Sequence, residues 1–100
     1  MEEQAVIIRF SNISGNMDAL YELEDQLESI ISSKDIGEYD GHEISPDTGE
    51  TILYMYGPDA DQLFQAVRPA IKAAGSLKNG IAKLRYGSAG SGARETEVPI

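Results

Sequence analysis

Cysteine is absent from this chain of 100 residues. Its absence excludes disulfide bonds, thiolate metal sites and cysteine nucleophiles. Long apolar runs are absent too, since no stretch approaches the roughly 20 apolar residues that a membrane-spanning helix needs. The first apolar run, residues 5–8, is short and follows an acidic start, which is unlike a signal peptide. We therefore expect a cytoplasmic protein with no membrane partner.

Positive charge is scarce, with 8 lysines and arginines against 17 aspartates and glutamates and a formal net charge of −9. This balance argues against a nucleic-acid partner, because a polyanion would be repelled by the molecule as a whole. The charges are also unevenly spread. Residues 1–67 hold 15 acidic and 2 basic residues, whereas residues 68–100 hold 2 acidic and 6 basic ones. The local basic charge of the last third makes the exclusion of nucleic acid less strict.

The composition, 41% hydrophobic and 25% charged, is that of one small folded domain. Runs rich in β-branched and aromatic residues predict four strands. These strands are Ala5–Phe10, Ile36–Ile44, Thr51–Tyr56 and Ile81–Tyr86. The second one contains Gly37 and Gly41 and is expected to be irregular or bulged. The turn residues Pro46–Gly49 join it to the third strand as a hairpin.

Two helices are predicted from apolar residues that recur every three or four positions. The first runs from about Met17 to Ser33 after Asn16 as N-cap, and its core stripe is Leu20, Leu23, Leu27, Ile30 and Ile31. The second runs from about Ala60 to Ala74, with the stripe Leu63, Phe64, Val67, Ile71 and Ala74. Asp59 and Gln62 fit a capping box at its start, and Gly75 fits a C-terminal cap. Pro69 inside this helix is expected to bend or divide it.

The order β-α-β-β-α-β predicts an α+β fold of the ferredoxin-like type, in which right-handed crossovers place both helices on one face of an antiparallel sheet. Residues 1–88 would form this single domain. Residues 89–100 would form a glycine-rich tail, of which Glu95–Ile100 could add a short edge strand. No helix is predicted after the glycines of residues 87–92, so they do not form a phosphate-binding loop, and we expect no cofactor.

The densest polar cluster, residues 37–43, contains the single histidine of the chain. In a regular strand, Glu38, Asp40 and His42 would project from one face. Two carboxylates and an imidazole so placed could bind a divalent metal ion or act as an acid–base pair. A bulge at Gly41 would break that register, and the alternative is a solvated strand with local hydrogen bonds.

The uncovered sheet face is expected to carry an aromatic and cationic group of side chains. Its members are Arg9, Tyr54, Tyr56, Lys83 and Arg85. Aromatic and cationic side chains alternate in this way on platforms that bind single-stranded RNA. The aromatic signature strand of RNA-recognition domains is missing, and the net charge opposes such a ligand. Cross-strand packing of the tyrosines beneath basic side chains is the preferred interpretation.

The first helix carries an acidic surface consisting of Asp18, Glu22, Asp25 and Glu28. Asp18 and Glu22, like Glu24 and Glu28, are like-charge pairs at i and i+4, which destabilise a helix slightly. Three interpretations remain open: a solvated face, a surface for a basic partner, or pairing with Arg68 and Lys72 of the second helix.

Several segments resemble a family of small uncharacterised bacterial proteins. They are Gly37–Glu43, Leu53–Asp61, Leu63-Phe64, Val67–Pro69 and Leu84–Gly87, and the similarity spans about residues 36 to 88. The resemblance implies a stand-alone cytoplasmic domain, and it implies no mechanism and no functional residues.

We arrive at a leading functional hypothesis, a non-enzymatic module that binds a protein partner or a small ligand. One special case is an acidic inhibitor or immunity-type protein that caps a basic toxin or nuclease. The competing hypothesis is a metal-binding or enzymatic domain that uses Glu38, Asp40 and His42.

Overall fold

The computed structural model describes residues 3–11, 17–74 and 80–100. Within them lie five strands and two helices. In chain order they are β1 (Gln4–Phe10), α1 (Met17–Lys34), β2 (Glu38–Ile44), β3 (Thr51–Gly57), α2 (Ala60–Ala73), β4 (Ile81–Arg85) and β5 (Glu95–Pro99). All neighbouring strands are antiparallel, in the order β2-β3-β1-β4-β5. This α+β architecture is compatible with the predicted ferredoxin-like sandwich, although its sheet has five strands, one more than the βαββαβ unit.

The central strand is β1, as its nearly continuous apolar sequence predicts. It pairs with β3 on one side and β4 on the other, so that Ile8 lies opposite both Leu53 and Ala82. These three side chains are fully buried beneath the helices. The next residues along each strand point to the other face, where Arg9 and Lys83 are half-buried. One face of the sheet thus carries the core and the other is left uncovered by the helices.

Both helices bury the apolar stripes that their spacing predicts. The fully buried members are Leu20, Leu23, Leu27 and Ile31 of α1 and Leu63, Val67 and Ile71 of α2, and Phe64 is nearly so. Ile30 and Ala74 are only partly buried against the core. The predicted caps at Asn16 and Gly75, and residues 76–79 of the following loop, lie outside the described residues.

The start of α2 follows the predicted cap, and its interior is not divided at Pro69. The Asp59 Oδ1 atom accepts a hydrogen bond from the backbone N–H of Gln62 at 3.1 Å. The expected division of the helix at Pro69 is wrong, because α2 is continuous from Ala60 to Ala73. A proline removes one backbone donor, and Val67 and Ile71 on either side of it are buried in the core.

The C-terminal segment belongs to the sheet rather than to a detached tail. The backbone N–H of Tyr86 donates to the Arg94 carbonyl at 3.0 Å, and that of Ile100 donates to the Gly80 carbonyl at 2.9 Å. Val98 packs against the core from β5. The glycine-rich residues 87–92 therefore form a connection between two paired strands. Among the described residues, no helix combines the length and apolar character needed to cross a membrane.

Candidate functional site

The predicted metal or acid–base group on β2 does not exist, because the strand is bulged. The pairing of β2 with β3 shifts between Tyr39 and Gly41, leaving Asp40 as the extra residue. Glu38 lies opposite Tyr56 on the uncovered face, whereas His42 lies opposite the buried Leu53 on the helix side. The prediction that Glu38, Asp40 and His42 share one face is therefore wrong. No group of three metal-ligating side chains is present in the part of the chain that the structure describes.

His42 is instead joined to α1 through a residue that the sequence did not single out. Its Nδ1 atom lies 2.8 Å from the Oε2 atom of Glu24, and the Tyr39 hydroxyl donates to the same oxygen. The carboxylate side chain is 15% exposed and the imidazole 27%. We call these three residues the Glu24 cluster. The helical position of Glu24, next to Leu23 and Leu27 of the core stripe, is the signal that could have indicated its partial burial.

The Glu24 cluster is a strong polar contact between a helix and the edge of the sheet. Burial, followed by the hydrogen bond to Glu24 and the charges of Glu24 and Glu28, raises the pKa of Tyr39 above its ordinary value. The phenol therefore stays protonated and acts as a donor. A carboxylate on Nδ1 also orients an imidazole, leaving Nε2 for a ligand or a proton. Neither cleft described below is lined by His42, so the geometry favours a structural role for this contact.

The five aromatic and cationic residues of the predicted open face do lie on that face. Ala5 lies between Tyr56 and Arg85, and Ile7 lies between Tyr54 and Lys83, in consecutive rows across the sheet. Arg9 follows in the third row.

The cations of the open face lie beside acidic residues of β5. Lys83 is directly opposite Glu97, and Arg85 is directly opposite Glu95. The Arg9 guanidinium lies 3.9 Å from the Glu97 carboxylate. The basic strand is thus flanked by acidic residues, which weakens the resemblance to an RNA-binding platform.

Two acidic residues of α1 lie on the side of the helix that faces β2. Tyr21 approaches His42, with ring centroids 6.4 Å apart. Asp25 and Glu28 follow Tyr21 at i+4 and i+7 and so share its side of the helix. Asp18 and Glu22 lie further round the helix towards solvent, since adjacent residues such as Tyr21 and Glu22 face different sides. All four carboxylates are exposed.

Exposed carboxylates of β2 lie at the neighbouring sheet edge, with Glu38 and Glu43 on its uncovered face. We call the combined surface the acidic flank, consisting of Asp18, Glu22, Asp25, Glu28, Glu38, Asp40 and Glu43. Within the described residues, none of them forms an ion pair with lysine or arginine. Lys34 is the one lysine or arginine on α1 and β2, at the helix C-terminus.

The predicted alternative, pairing of the α1 carboxylates with α2, is not formed between the described residues. The Arg68 guanidinium lies over the Phe64 ring instead, 5.6 Å from its centroid. Lys72 makes no ion pair among the described residues either. The acidic charge of α1 is therefore not neutralised within this part of the fold.

Two clefts flank the start of β2, and Asp35, Gly37 and Glu38 line both of them. The smaller cleft, about 260 Å³, extends towards Glu28 and Tyr39. The larger, about 400 Å³, extends towards Glu3 and Tyr56 on the other side. The chain is closely packed between them, because a Cβ atom at Gly37 would collide with the Tyr56 carbonyl oxygen. Both clefts open among carboxylates and a tyrosine.

Comparison with known proteins identifies the fold and nothing finer. No protein-family model matches the chain, and no curated protein matches it. The solved structure of Rv0793 from Mycobacterium tuberculosis matches 96% of this chain and 92% of its own, with a TM-score of 0.54 and 20% sequence identity. At this identity the likeness shows a shared fold alone.

Proposed function

We propose that this protein is a small non-enzymatic interaction module that binds a protein partner with a basic surface through the acidic flank. It acts in the cytoplasm and is built on a ferredoxin-like βαββαβ unit extended by β5. One observation carries the proposal: the exposed carboxylates of α1 and of the adjacent edge strand β2 are not neutralised by the described cations. A basic toxin or nuclease is one kind of partner with the required charge.

The charge distribution of the fold supports this proposal. Arg9, Lys83 and Arg85 lie on the uncovered sheet face, on β1 and β4, and Arg68 and Lys72 lie on α2. The acidic flank lies on α1 and on the edge strand β2, which β3 separates from β1. Unrelieved repulsion among its carboxylates costs stability, whereas a basic partner converts the same charges into attraction and faster association.

The proposal is tested by charge reversal on α1. The natural partner is captured from a lysate of the host at low salt, and its affinity is then measured with purified proteins. We expect Glu22→Lys combined with Asp25→Lys to weaken binding by roughly tenfold or more, since about 1.4 kcal/mol corresponds to tenfold. Binding should also weaken steeply with added salt.

The matched control is Glu95→Lys combined with Glu97→Lys on β5, which changes the net charge equally at the other edge of the sheet. Among the described residues its one ion pair, between Arg9 and Glu97, joins two exposed side chains and contributes little. The new lysines would lie opposite Lys83 and Arg85, so circular dichroism is used to check that this variant is folded. Equal weakening by both double variants, or full binding in 1 M salt, would contradict an interface on the acidic flank.

A further inference from the structure

The two edges of the sheet are not equivalent. At one edge, β5 contains Pro99, which has no backbone N–H to offer to an added strand. At the other edge, β2 contains no proline or lysine and, within the described residues, pairs with β3 alone. Its outer side therefore presents backbone donors and acceptors to which another strand could bind.

The bulge includes Gly41, whose φ is +140°, and beyond it β2 keeps a constant register with β3. From Gly41 to Ile44, β2 pairs residue by residue with Tyr54 to Thr51 of β3. A bulge twists a strand and interrupts pairing where it occurs, so this regular half is where an added strand would pair. A Cβ at Gly41 would meet no atom within 4 Å, so the uncovered face above this residue is open.

Exposed apolar side chains accompany the carboxylates along this edge. Among the described residues, Tyr21 (52% exposed), Ile44 (38%) and Ile81 (38%) are the large hydrophobic side chains that remain exposed. Tyr21 lies beside His42, and Ile44 ends the regular half of β2. Two of the three thus lie at the same edge, on its helix side, whereas Glu43 lies on the uncovered side. Apolar anchors within a polar surround are typical of protein interfaces.

We propose that the basic partner adds an extended segment to the Gly41–Ile44 edge as a sixth strand, a proposal that rests on the proposed function. Successive side chains of a strand point to opposite faces. Those on the uncovered side would meet Glu43, and those on the helix side would meet Ile44 and Tyr21. The segment therefore alternates basic and apolar residues. Backbone hydrogen bonds supply part of its affinity, as in other complexes formed by strand addition.

The probe is a short capped peptide of alternating arginine and valine, added to the full chain. Two further peptides carry the same side chains, with backbone N-methyl groups on the valines in one and on the arginines in the other. In an added strand, alternate N–H groups point towards and away from β2. We therefore expect one methylated peptide to bind at least roughly tenfold more weakly than the parent, and the other to bind like the parent. Amide exchange should slow at Gly41–Ile44 and not at Glu95–Pro99.

Strand addition would be overturned if all three peptides bound the protein equally and if the Glu22→Lys, Asp25→Lys double variant bound all three more weakly to the same extent. That result would still support binding through the acidic flank. Protection at β5, or absence of binding by the parent peptide, would also overturn strand addition. Failure of the acidic flank has a different signature: the captured partner would bind the α1 and β5 double variants equally. Weaker binding of the parent peptide to the Ile44→Asp variant supports the assigned edge. Ile81→Asp is the matched exposed control and should bind the parent peptide like the unchanged protein.

Discussion

Replacing Glu24 by alanine removes the acceptor that two side chains share, and it should destabilise the fold substantially. The Tyr39 hydroxyl and the His42 Nδ1 atom both bond to its Oε2 atom. Hydrogen bonds to a charged group contribute about 1.5–3 kcal/mol each, and a buried donor left without a partner adds a penalty. Because Glu24 and His42 are 15% and 27% exposed, water can replace part of this loss. We expect the free energy of unfolding to fall by about 2–3 kcal/mol.

The measurement is urea unfolding followed by circular dichroism, with a thermal scan in parallel. For a domain of this size, the expected loss lowers the Tm on the order of 10 °C. Asp25→Ala is the matched control, because Asp25 is the next residue of the same helix and is exposed without an ion pair in the described chain. Its effect should stay within about 0.5 kcal/mol. If Glu24→Ala and Asp25→Ala destabilise equally, the Glu24 cluster does not hold α1 to β2.

Two further predictions concern Tyr39 and β5. The raised pKa of Tyr39 favours its protonated form in the folded state, so the stability it contributes is present below about pH 10 and is lost as the pH rises further. The free energy of unfolding should therefore fall as the pH rises above 10, and Tyr39→Phe should flatten that decline; an unchanged slope would contradict the assignment. Val98→Asp should lower stability by about 1–2 kcal/mol in urea unfolding, because Val98 packs against the core from β5. Glu97→Gln should have little effect, and equal losses in both variants would show that β5 does not add to the core.

The bulged strand β2 shows how much of the structure a local sequence pattern can predict. Gly37 and Gly41 correctly predict an irregular β2, and the site hypothesis on Glu38, Asp40 and His42 fails for that same reason. A shift of one residue moves every later side chain to the other face of a sheet. The hypothesis required a regular register, and the bulge sends His42 towards α1.

The acidic surface of α1 is a prediction that the structure agrees with, although the sequence could not show which element this surface faces. The i, i+4 spacing of Asp18 and Glu22 predicts that carboxylates line one side of the first helix, and their exposure agrees. The spacing contains no information on which element that side faces. The contact of Tyr21 and Glu24 with His42 decides this, and it places that side of the helix beside β2.

The amino-acid sequence by itself determined the elements, the core stripes and the division of charge along the chain. Each of these depends on the 3.6-residue period of a helix, the two-residue period of a strand, or simple counting. The tertiary structure alone decided the Glu24 cluster, whose members lie 15 and 18 positions apart, and the placing of the acidic flank beside an open strand edge. Such contacts depend on how helices and strands pack and on where a strand slips its register, and neither is encoded in a local period.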